Sequence, residues 1–194
     1  MTSARGHFVL VVGPSGAGKD SLIDYARLRL QSDPDFHFVR REITRPASVG
    51  EDHVTVDSEE FQRRAKAGAF ALHWEAHGLF YGIPAAVEDH LDRGAVVIAN
   101  GSRAIVPFAR ERYPQLRVVN VSAPVEVLAK RLAGRGREND LSLKQRLARS
   151  ALDPVEGRDV LHIDNAGALN VAGERFMEAL RVYRRARTVT SNPR

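Results

Sequence analysis

The stretch HFVLVVGPSGAGKDS, residues 7–21, decides the fold of this chain. It begins with an uninterrupted apolar run that ends at Gly13, which is typical of a strand buried on both faces. A turn containing three glycines follows, and the amphipathic stretch over residues 21–30 predicts a helix. Strand, glycine-rich turn and helix in this order indicate the first unit of an α/β sheet.

The turn has the signature of a phosphate-binding loop, or P-loop, because it follows a strand and opens a helix. Its glycines let backbone N–H groups curl around a phosphate, and the helix N-terminus adds positive potential. Lys19 would bridge the β- and γ-phosphates of ATP and is predicted to be catalytic. The residues expected to bind the nucleotide are Gly13, Pro14, Ser15, Gly16, Ala17, Gly18, Lys19, Asp20 and Ser21.

One position departs from the P-loop pattern, since Asp20 stands where a serine or threonine hydroxyl would bind Mg²⁺. A carboxylate is a hard oxygen ligand, so Asp20 is predicted to lie at the metal, directly or through water. Two alternatives stay open: Ser21 takes over the metal role, or Asp20 only caps the helix.

The rest of the chain repeats the alternation of strand and helix. Core strands are predicted near residues 95–99, 117–121 and 159–163, with helical patterns beside them. This order predicts an α/β P-loop NTPase fold with a parallel sheet and helices on both faces. The expected parts are one kinase domain over 1–194, an acceptor-binding insertion over about 38–95, an arginine-rich lid over about 133–150 and a tail over 188–194. The polar stretch 40–57 is expected to be a mobile loop within the insertion.

The charge balance points to small phosphorylated ligands. The chain has 29 Lys and Arg against 24 Asp and Glu, and four lysines leave arginine to supply most of the positive charge. Arginine binds phosphate bidentately, which suits polyphosphate ligands. No long basic run with interleaved aromatic residues is found, so nucleic acid is not an expected partner.

Cysteine usage and apolar runs bear on the compartment. The chain has no cysteine, which excludes disulfides and thiolate catalysis and favours a reducing compartment. The apolar stretch 8–12 is too short for a signal-peptide core or a membrane span. We therefore expect a cytoplasmic protein without a membrane partner, and a homodimer stays open.

The motifs beyond the P-loop resemble the guanylate kinase superfamily over nearly the whole chain. Thr44-Arg45-Pro46 with Gly50-Glu51 resembles the acceptor-phosphate loop of that superfamily, and Trp74 to Gly82 resembles its nucleotide-binding segment. The resemblance implies that Arg45, Glu51 and Tyr81 bind the acceptor and that Asn165 lies on the adenine side of ATP. It also implies an arginine-bearing lid that stabilises the transferring phosphoryl group, with Arg131, Arg135, Arg137 and Arg146 as candidates.

The positions that read the guanine base differ from that superfamily. Arg41, His73 and Asn100 stand where guanylate kinases carry a serine, a glutamate and an aspartate, and all three are predicted to bind the acceptor. Arginine offers no hydrogen-bond acceptor to the N–H groups of guanine. GMP would therefore leave polar groups unpaired, and it is expected to be the poorer acceptor.

The same positions resemble the ribose 1,5-bisphosphate phosphokinase family. In one-letter code, the matching motifs are R-R at 40–41, T-R-P at 44–46, G-E-D-H at 50–53, W-E-A-H-G-L at 74–79, Y-G-I-P at 81–84 and N-G-S-R at 100–103. The aspartate after Lys19 also suits that family. The resemblance implies that ATP and ribose 1,5-bisphosphate are converted to 5-phosphoribosyl 1-diphosphate and ADP, with Mg²⁺, in phosphonate catabolism. Arg41 and Arg103 would then suit an acceptor that has phosphates at both ends and no base.

Two other functions remain as alternatives. A guanylate or other nucleoside monophosphate kinase would use GMP to consume ATP. A non-catalytic guanylate-kinase-like interaction domain would have lost its P-loop, whereas Gly13, Gly18 and Lys19 are all present here.

Overall fold

The computed structural model describes residues 5–46, 52–133 and 155–189. The strands in chain order are β1 (Phe8–Val12), β2 (Phe36–Phe38), β3 (Arg41–Ile43), β4 (His53–Thr55), β5 (Phe70–Ala76), β6 (Leu79–Pro84), β7 (Val96–Asn100), β8 (Leu116–Ser122) and β9 (Val160–Asp164). The helices are α1 (Lys19–Leu30), α2 (Ser58–Lys66), α3 (Val87–Asp92), α4 (Val106–Arg112), α5 (Val125–Ala133) and α6 (Leu169–Val189), with a 3₁₀ turn at Arg103–Ile105.

The main sheet has five strands in the order β2-β7-β1-β8-β9, and every pairing in it is parallel. The central strand β1 is buried at all five positions, as its continuous apolar sequence requires when helices cover both faces. The sheet confirms the predicted α/β fold. In parallel strands the carboxyl ends meet at one edge, and this edge receives the loops that follow β1 and β7.

Two apolar clusters lie on the two faces of the main sheet. Phe8 and Leu10 pack in one cluster with residues of α3 and α4. Val9 and Val11 pack in the other with residues of α1, α5 and α6. Because successive side chains of a strand point to opposite faces, β1 divides its residues between the two clusters.

A second, four-stranded sheet has the order β4-β3-β6-β5. β3 pairs in parallel with β4 and antiparallel with β6, while β5 and β6 form a hairpin. His77 and Gly78 link this hairpin with positive φ angles of 57° and 70°, as a two-residue type I′ turn requires. All four strands fall within the predicted acceptor-binding insertion.

The sequence-based prediction of a mobile loop over residues 40–57 is wrong where β3 and β4 lie. Arg41, Glu42 and His53 are buried in these strands. Glu42 accepts a hydrogen bond from Arg64 of α2 at 2.6 Å, so its charge has a partner inside the fold. Polar residues therefore form strands here because their partners come from elsewhere in the chain.

Some predicted features lie outside the described residues. The lid is described only at its first residue, Ala133, and the tail only at residues 188 and 189. Four predicted site residues also lie outside the described residues: Glu51, Arg135, Arg137 and Arg146. Across the described residues, no helix combines the length and the apolar character needed to cross a bilayer.

Candidate active site

The loop between β1 and α1 has the backbone that a phosphate cradle needs. A side-chain Cβ at Gly13 would lie 2.1 Å from the carbonyl oxygen of Val121, and φ at Gly13 is +143°, so only glycine fits this position. Gly18 precedes α1 in the left-handed conformation. The Lys19 ammonium donates to the carbonyl oxygens of Gly13 and Pro14 at 2.9 and 3.0 Å, which holds the charge against the loop.

Asn165 and Arg131 hold the P-loop through hydrogen bonds to backbone carbonyl oxygens. Asn165, just after β9, is 3% exposed, and its Nδ2 donates to the Ala17 carbonyl oxygen at 2.7 Å. Arg131 of α5 donates through Nη2 to the carbonyl oxygen of Asn165 at 2.8 Å and through Nη1 to that of Gly16 at 3.4 Å. Both residues thus lie at the nucleotide loop, while their predicted contacts with ATP stay predictions.

The Asp20 carboxylate is held by a residue from the neighbouring strand. Asn100, the last residue of β7, donates from Nδ2 to Asp20 Oδ1 at 2.5 Å. A carboxylate only accepts, so this contact fixes which way the Asn100 amide points. Asn100 is 7% exposed, and no hydrogen bond to its buried Oδ1 is found among the described residues.

Arg41 of β3 lies in the insertion that is predicted to bind the acceptor, and it is 8% exposed. Burial lowers the pKa of the Arg41 guanidinium, and the negative charge of Asp20 opposes this shift. Arginine remains protonated under such shifts, so the site contains a buried positive charge beside the P-loop helix. The guanidinium carbon lies 5.7 Å from the centroid of the Tyr81 ring, within the range of a cation–π contact.

Trp74 extends this arrangement. Its ring is stacked on Tyr81 with a centroid separation of 5.3 Å and an interplanar angle of 7°. The two residues face each other in the β5–β6 hairpin, and Trp74 also packs against the core. Trp74, Tyr81 and Arg41 thus contact one another in series, and because they lie in the insertion predicted to bind the acceptor we call these three residues the acceptor wall.

His53 lies behind this wall and was not among the site residues predicted from the sequence. It pairs with Arg41 in the β3–β4 register, and its Nε2 lies 3.3 Å from the Arg45 carbonyl oxygen. Burial lowers the pKa of His53, and the charges of Arg45 and Arg41 lower it further. Because a carbonyl oxygen only accepts, Nε2 is the donor in this contact, which positions the backbone of Arg45. The GEDH motif at 50–53 was the sequence signal that could have identified it.

The structure does not bring every predicted residue to the acceptor wall. His73 is exposed and lies beside Phe61 and Phe70, with ring centroids 6.5 and 6.2 Å away. It follows Leu72 and precedes Trp74, so it points to the opposite face of the sheet from the wall. Arg103 begins the 3₁₀ turn after β7, at the same edge of the main sheet as the P-loop. Acceptor binding by His73 and Arg103 stays a prediction.

The chain is similar over most of its length to bacterial proteins that are named as phosphokinases. It is 50% identical over 173 residues to "Ribose 1,5-bisphosphate phosphokinase PhnN" of Agrobacterium fabrum, covering 89% of this chain and 94% of that protein. The chain belongs to the ribose 1,5-bisphosphate phosphokinase family. The protein of the same name from Brucella melitensis is 49% identical over 177 residues, covering 91% of this chain and 92% of that protein. No family model matches the chain.

Solved structures of two kinases have the same fold as this chain. The guanylate kinase of Anaplasma phagocytophilum superposes with a TM-score of 0.69 at 22% identity, over 95% of this chain and 89% of that one. A gluconokinase of Sinorhizobium meliloti superposes with a TM-score of 0.56 at 20% identity, over 99% of this chain and 100% of that one. These likenesses show the fold, and membership of the ribose 1,5-bisphosphate phosphokinase family makes the protein an ATP-using phosphotransferase.

Proposed function

We propose that the protein transfers the γ-phosphoryl group of ATP to the C1 phosphate of ribose 1,5-bisphosphate, forming 5-phosphoribosyl 1-diphosphate and ADP. The observation that carries this proposal is the buried Arg41 guanidinium in the acceptor wall. It agrees with the activity named for relatives that are 49–50% identical.

The chemistry of the acceptor wall favours a phosphate over a base. A guanidinium has only donors, so it matches phosphate oxygens and cannot accept from the N–H groups of guanine. Ribose 1,5-bisphosphate has a second phosphate for Arg41 to bind, whereas GMP would present its base to this charge. Arg45 is the candidate for the reacting phosphate, and Tyr81, Arg103 and Glu51 are further candidates for contacts with the rest of the acceptor.

The proposed reaction needs no general base. An oxygen of the C1 phosphate is already anionic near neutral pH, and it forms the new bond to the γ-phosphorus. The bond from the γ-phosphorus to the β–γ bridging oxygen breaks, and the electron pair leaves with ADP. Catalysis is then a matter of position and charge, in which Lys19 and the P-loop amides bind the β- and γ-phosphates.

Arginines are the proposed partners of the transferring group. Guanidinium donors would stabilise the charge on the equatorial oxygens of the transferring phosphoryl group. Closure of the predicted lid over ATP would exclude water as a competing acceptor. Arg131 donates to the carbonyl oxygens of Gly16 and Asn165, which supports a role for it on the nucleotide side of the site. The other proposed lid arginines are Arg135, Arg137 and Arg146.

The site has a ligand of the type that Mg²⁺ requires. Asp20 offers carboxylate oxygens in the first turn of α1, next to the P-loop. Its Oδ1 already accepts from Asn100, which leaves Oδ2 for a metal or its water; Ser21 is the alternative holder. Bound with ATP, Mg²⁺ would neutralise charge on the β- and γ-phosphates.

We further propose small molecules as the partners and the cytoplasm as the location. The acceptor wall is a compact arginine and aromatic site, which suits a small anion rather than nucleic acid. The absence of cysteine favours a reducing compartment.

The test is ³¹P NMR of the protein with Mg-ATP and either ribose 1,5-bisphosphate or GMP. We expect the resonances of a new sugar diphosphate and of ADP with the first acceptor, and turnover lower by about a hundred- to a thousandfold with Lys19→Ala. Turnover with GMP alone would overturn the proposal, because Arg41 would then not exclude a base.

A further inference from the structure

We infer that Asn100 is a positioning residue, which holds the carboxylate of Asp20 in the orientation in which its second oxygen can bind Mg²⁺ or a water on the metal. The inference rests on the role of Asp20 in the proposed function, and it adds a residue of β7 to that role. It does not depend on which acceptor the protein uses.

The register of the main sheet brings the Asn100 side chain to α1. Asn100 pairs with Val11 of β1, two residues before the P-loop begins at Gly13. Val96 and Ile98 of β7 pack in the apolar cluster that contains residues of α1, and Asn100 follows Ile98 by two positions. Because every second residue of a strand points to the same face, Asn100 points towards α1 as well.

The hydrogen bond between the two side chains is the main support. Nδ2 of Asn100 donates to Oδ1 of Asp20 at 2.5 Å, and hydrogen bonds to a charged acceptor are shorter and stronger than those between neutral groups. Asp20 lies in the first turn of α1, and no other hydrogen bond to its carboxylate is found in the part of the chain that the structure describes. The carboxylate is therefore oriented by β7 and not by the amides of its own helix.

Asn100 makes this bond at a cost to the stability of the fold. It is 7% exposed, and its Oδ1 is buried without a hydrogen bond from any described residue. A buried acceptor without a donor destabilises the folded chain, and an apolar side chain of similar shape would avoid that loss. The bond to Asp20 thus explains the asparagine better than packing does.

The bond also decides which oxygen of Asp20 is left for a ligand. Oδ1 accepts from Asn100, so Oδ2 is the oxygen that a metal or its water would use. A carboxylate that is already oriented loses less freedom when it binds a metal. Loss of such an outer partner typically lowers metal affinity by about ten- to a hundredfold.

Metal-dependent binding of ADP tests the inference without an acceptor. We expect Asn100→Leu to raise the Mg²⁺ concentration needed for half-maximal tightening of ADP binding, measured by calorimetry over a Mg²⁺ series, by about tenfold or more. Its urea midpoint of unfolding should be at or above that of wild type, because leucine removes the unpaired Oδ1. An unchanged Mg²⁺ requirement would overturn the inference, and so would a clearly lower midpoint, since weaker binding would then reflect a weaker fold.

A double-mutant cycle shows whether Asn100 acts through Asp20. Asp20→Ala removes the carboxylate and should raise the Mg²⁺ requirement at least as much as Asn100→Leu does, and the double variant should raise it no further. Additive losses would overturn the inference. No effect of Asp20→Ala would remove the proposed metal role of Asp20 and the inference with it, whereas an effect of Asp20→Ala without one of Asn100→Leu would overturn the inference alone.

Asn120→Leu is the matched control. Asn120 belongs to β8 on the other side of β1, and its amide contacts His162 at 3.3 Å. We expect this variant to keep the Mg²⁺ requirement of wild type, and an equal rise in both leucine variants would overturn the inference. If ribose 1,5-bisphosphate proves not to be the acceptor, that part of the proposed function fails, whereas these binding measurements still decide the role of Asn100.

Discussion

The side-chain amide of Asn165 donates to the carbonyl oxygen of Ala17, 148 residues earlier in the chain, at 2.7 Å. This bond joins the end of β9 to the inner turn of the P-loop, and Arg131 adds two further bonds to the same region. The shape of the phosphate cradle thus depends on contacts from α5 and from the segment after β9, as well as on its own glycines.

Asn165→Ala should therefore weaken both the fold and the P-loop. The change leaves the Ala17 carbonyl buried without this donor, which costs about 1–3 kcal/mol of the free energy of unfolding. Urea unfolding and the KM for ATP measure the two effects. Asn120→Ala is the control, since the Asn120 amide contacts His162 at the exposed side of β8 and β9. Equal losses in the two variants would contradict a role for Asn165 in the loop.

Lys19→Ala should nearly abolish turnover. The variant removes the ammonium that lies along the P-loop, and losing one such charge stabiliser lowers kcat by about a hundred- to a thousandfold. Steady-state assays of ADP release check this, and circular dichroism checks the fold. Lys66→Ala removes an exposed lysine at the end of α2 and should keep full activity. Activity of Lys19→Ala near that of wild type would remove Lys19 from the mechanism.

Arg41→Ser should raise the KM for the acceptor more than it lowers kcat. Arg41 is proposed to bind the acceptor phosphate that does not react, and the loss of such binding appears mainly in KM. Arg40→Ser is the control, because the neighbouring Arg40 side chain is exposed and binds Asp52. Kinetics of Arg41→Ser indistinguishable from those of wild type would exclude Arg41 from the acceptor site.

Stability should fall in mild acid through the stacked pair His37 and His90, whose ring centroids are 3.6 Å apart. Burial lowers the pKa of His37 to about 4, with further lowering from His90 and Arg93, and it also lowers the pKa of His90. In the unfolded chain His37 binds a proton as the pH falls through 6.5, whereas in the folded chain it binds one only near pH 4. The contribution of neutral His37 to the free energy of unfolding is therefore complete above pH 6.5, and it is lost as the pH falls towards 4.

Urea unfolding across this pH range measures the effect. His37→Gln removes the titrating ring, so its unfolding midpoint should depend less steeply on pH than that of wild type. The pH dependence should not vanish, because burial also lowers the pKa of His7 and of His53. An unchanged slope in His37→Gln would contradict the assignment.

The P-loop was predictable because its information is local. An apolar run, three glycines, a lysine and a helical pattern follow one another within residues 7–30, and each acts on its immediate neighbours. The main parallel sheet was predictable for a similar reason, since strands buried on both faces are apolar throughout. The resemblance of the motifs to the ribose 1,5-bisphosphate phosphokinase family extended this to the activity of the family.

The strands β3 and β4 of the second sheet were missed because each has only three residues and neither has a continuous apolar pattern. Glu42 can be buried because it accepts a hydrogen bond from Arg64, which lies 22 residues away on α2. Arg41 tolerates it beside Tyr81 and the negative charge of Asp20. Neither pairing has a period that a sequence window could detect.

The sequence by itself determined the α/β class, the phosphate loop and the set of arginines available to phosphates. Only the tertiary structure decided that Asn100 donates a hydrogen bond to Asp20, that Asn165 donates one to the Ala17 carbonyl oxygen and that His73 points away from the acceptor wall. The physical reason is sequence distance: local propensities shape each strand and turn, whereas a hydrogen bond between residues 20 and 100 exists only after β1 and β7 have paired.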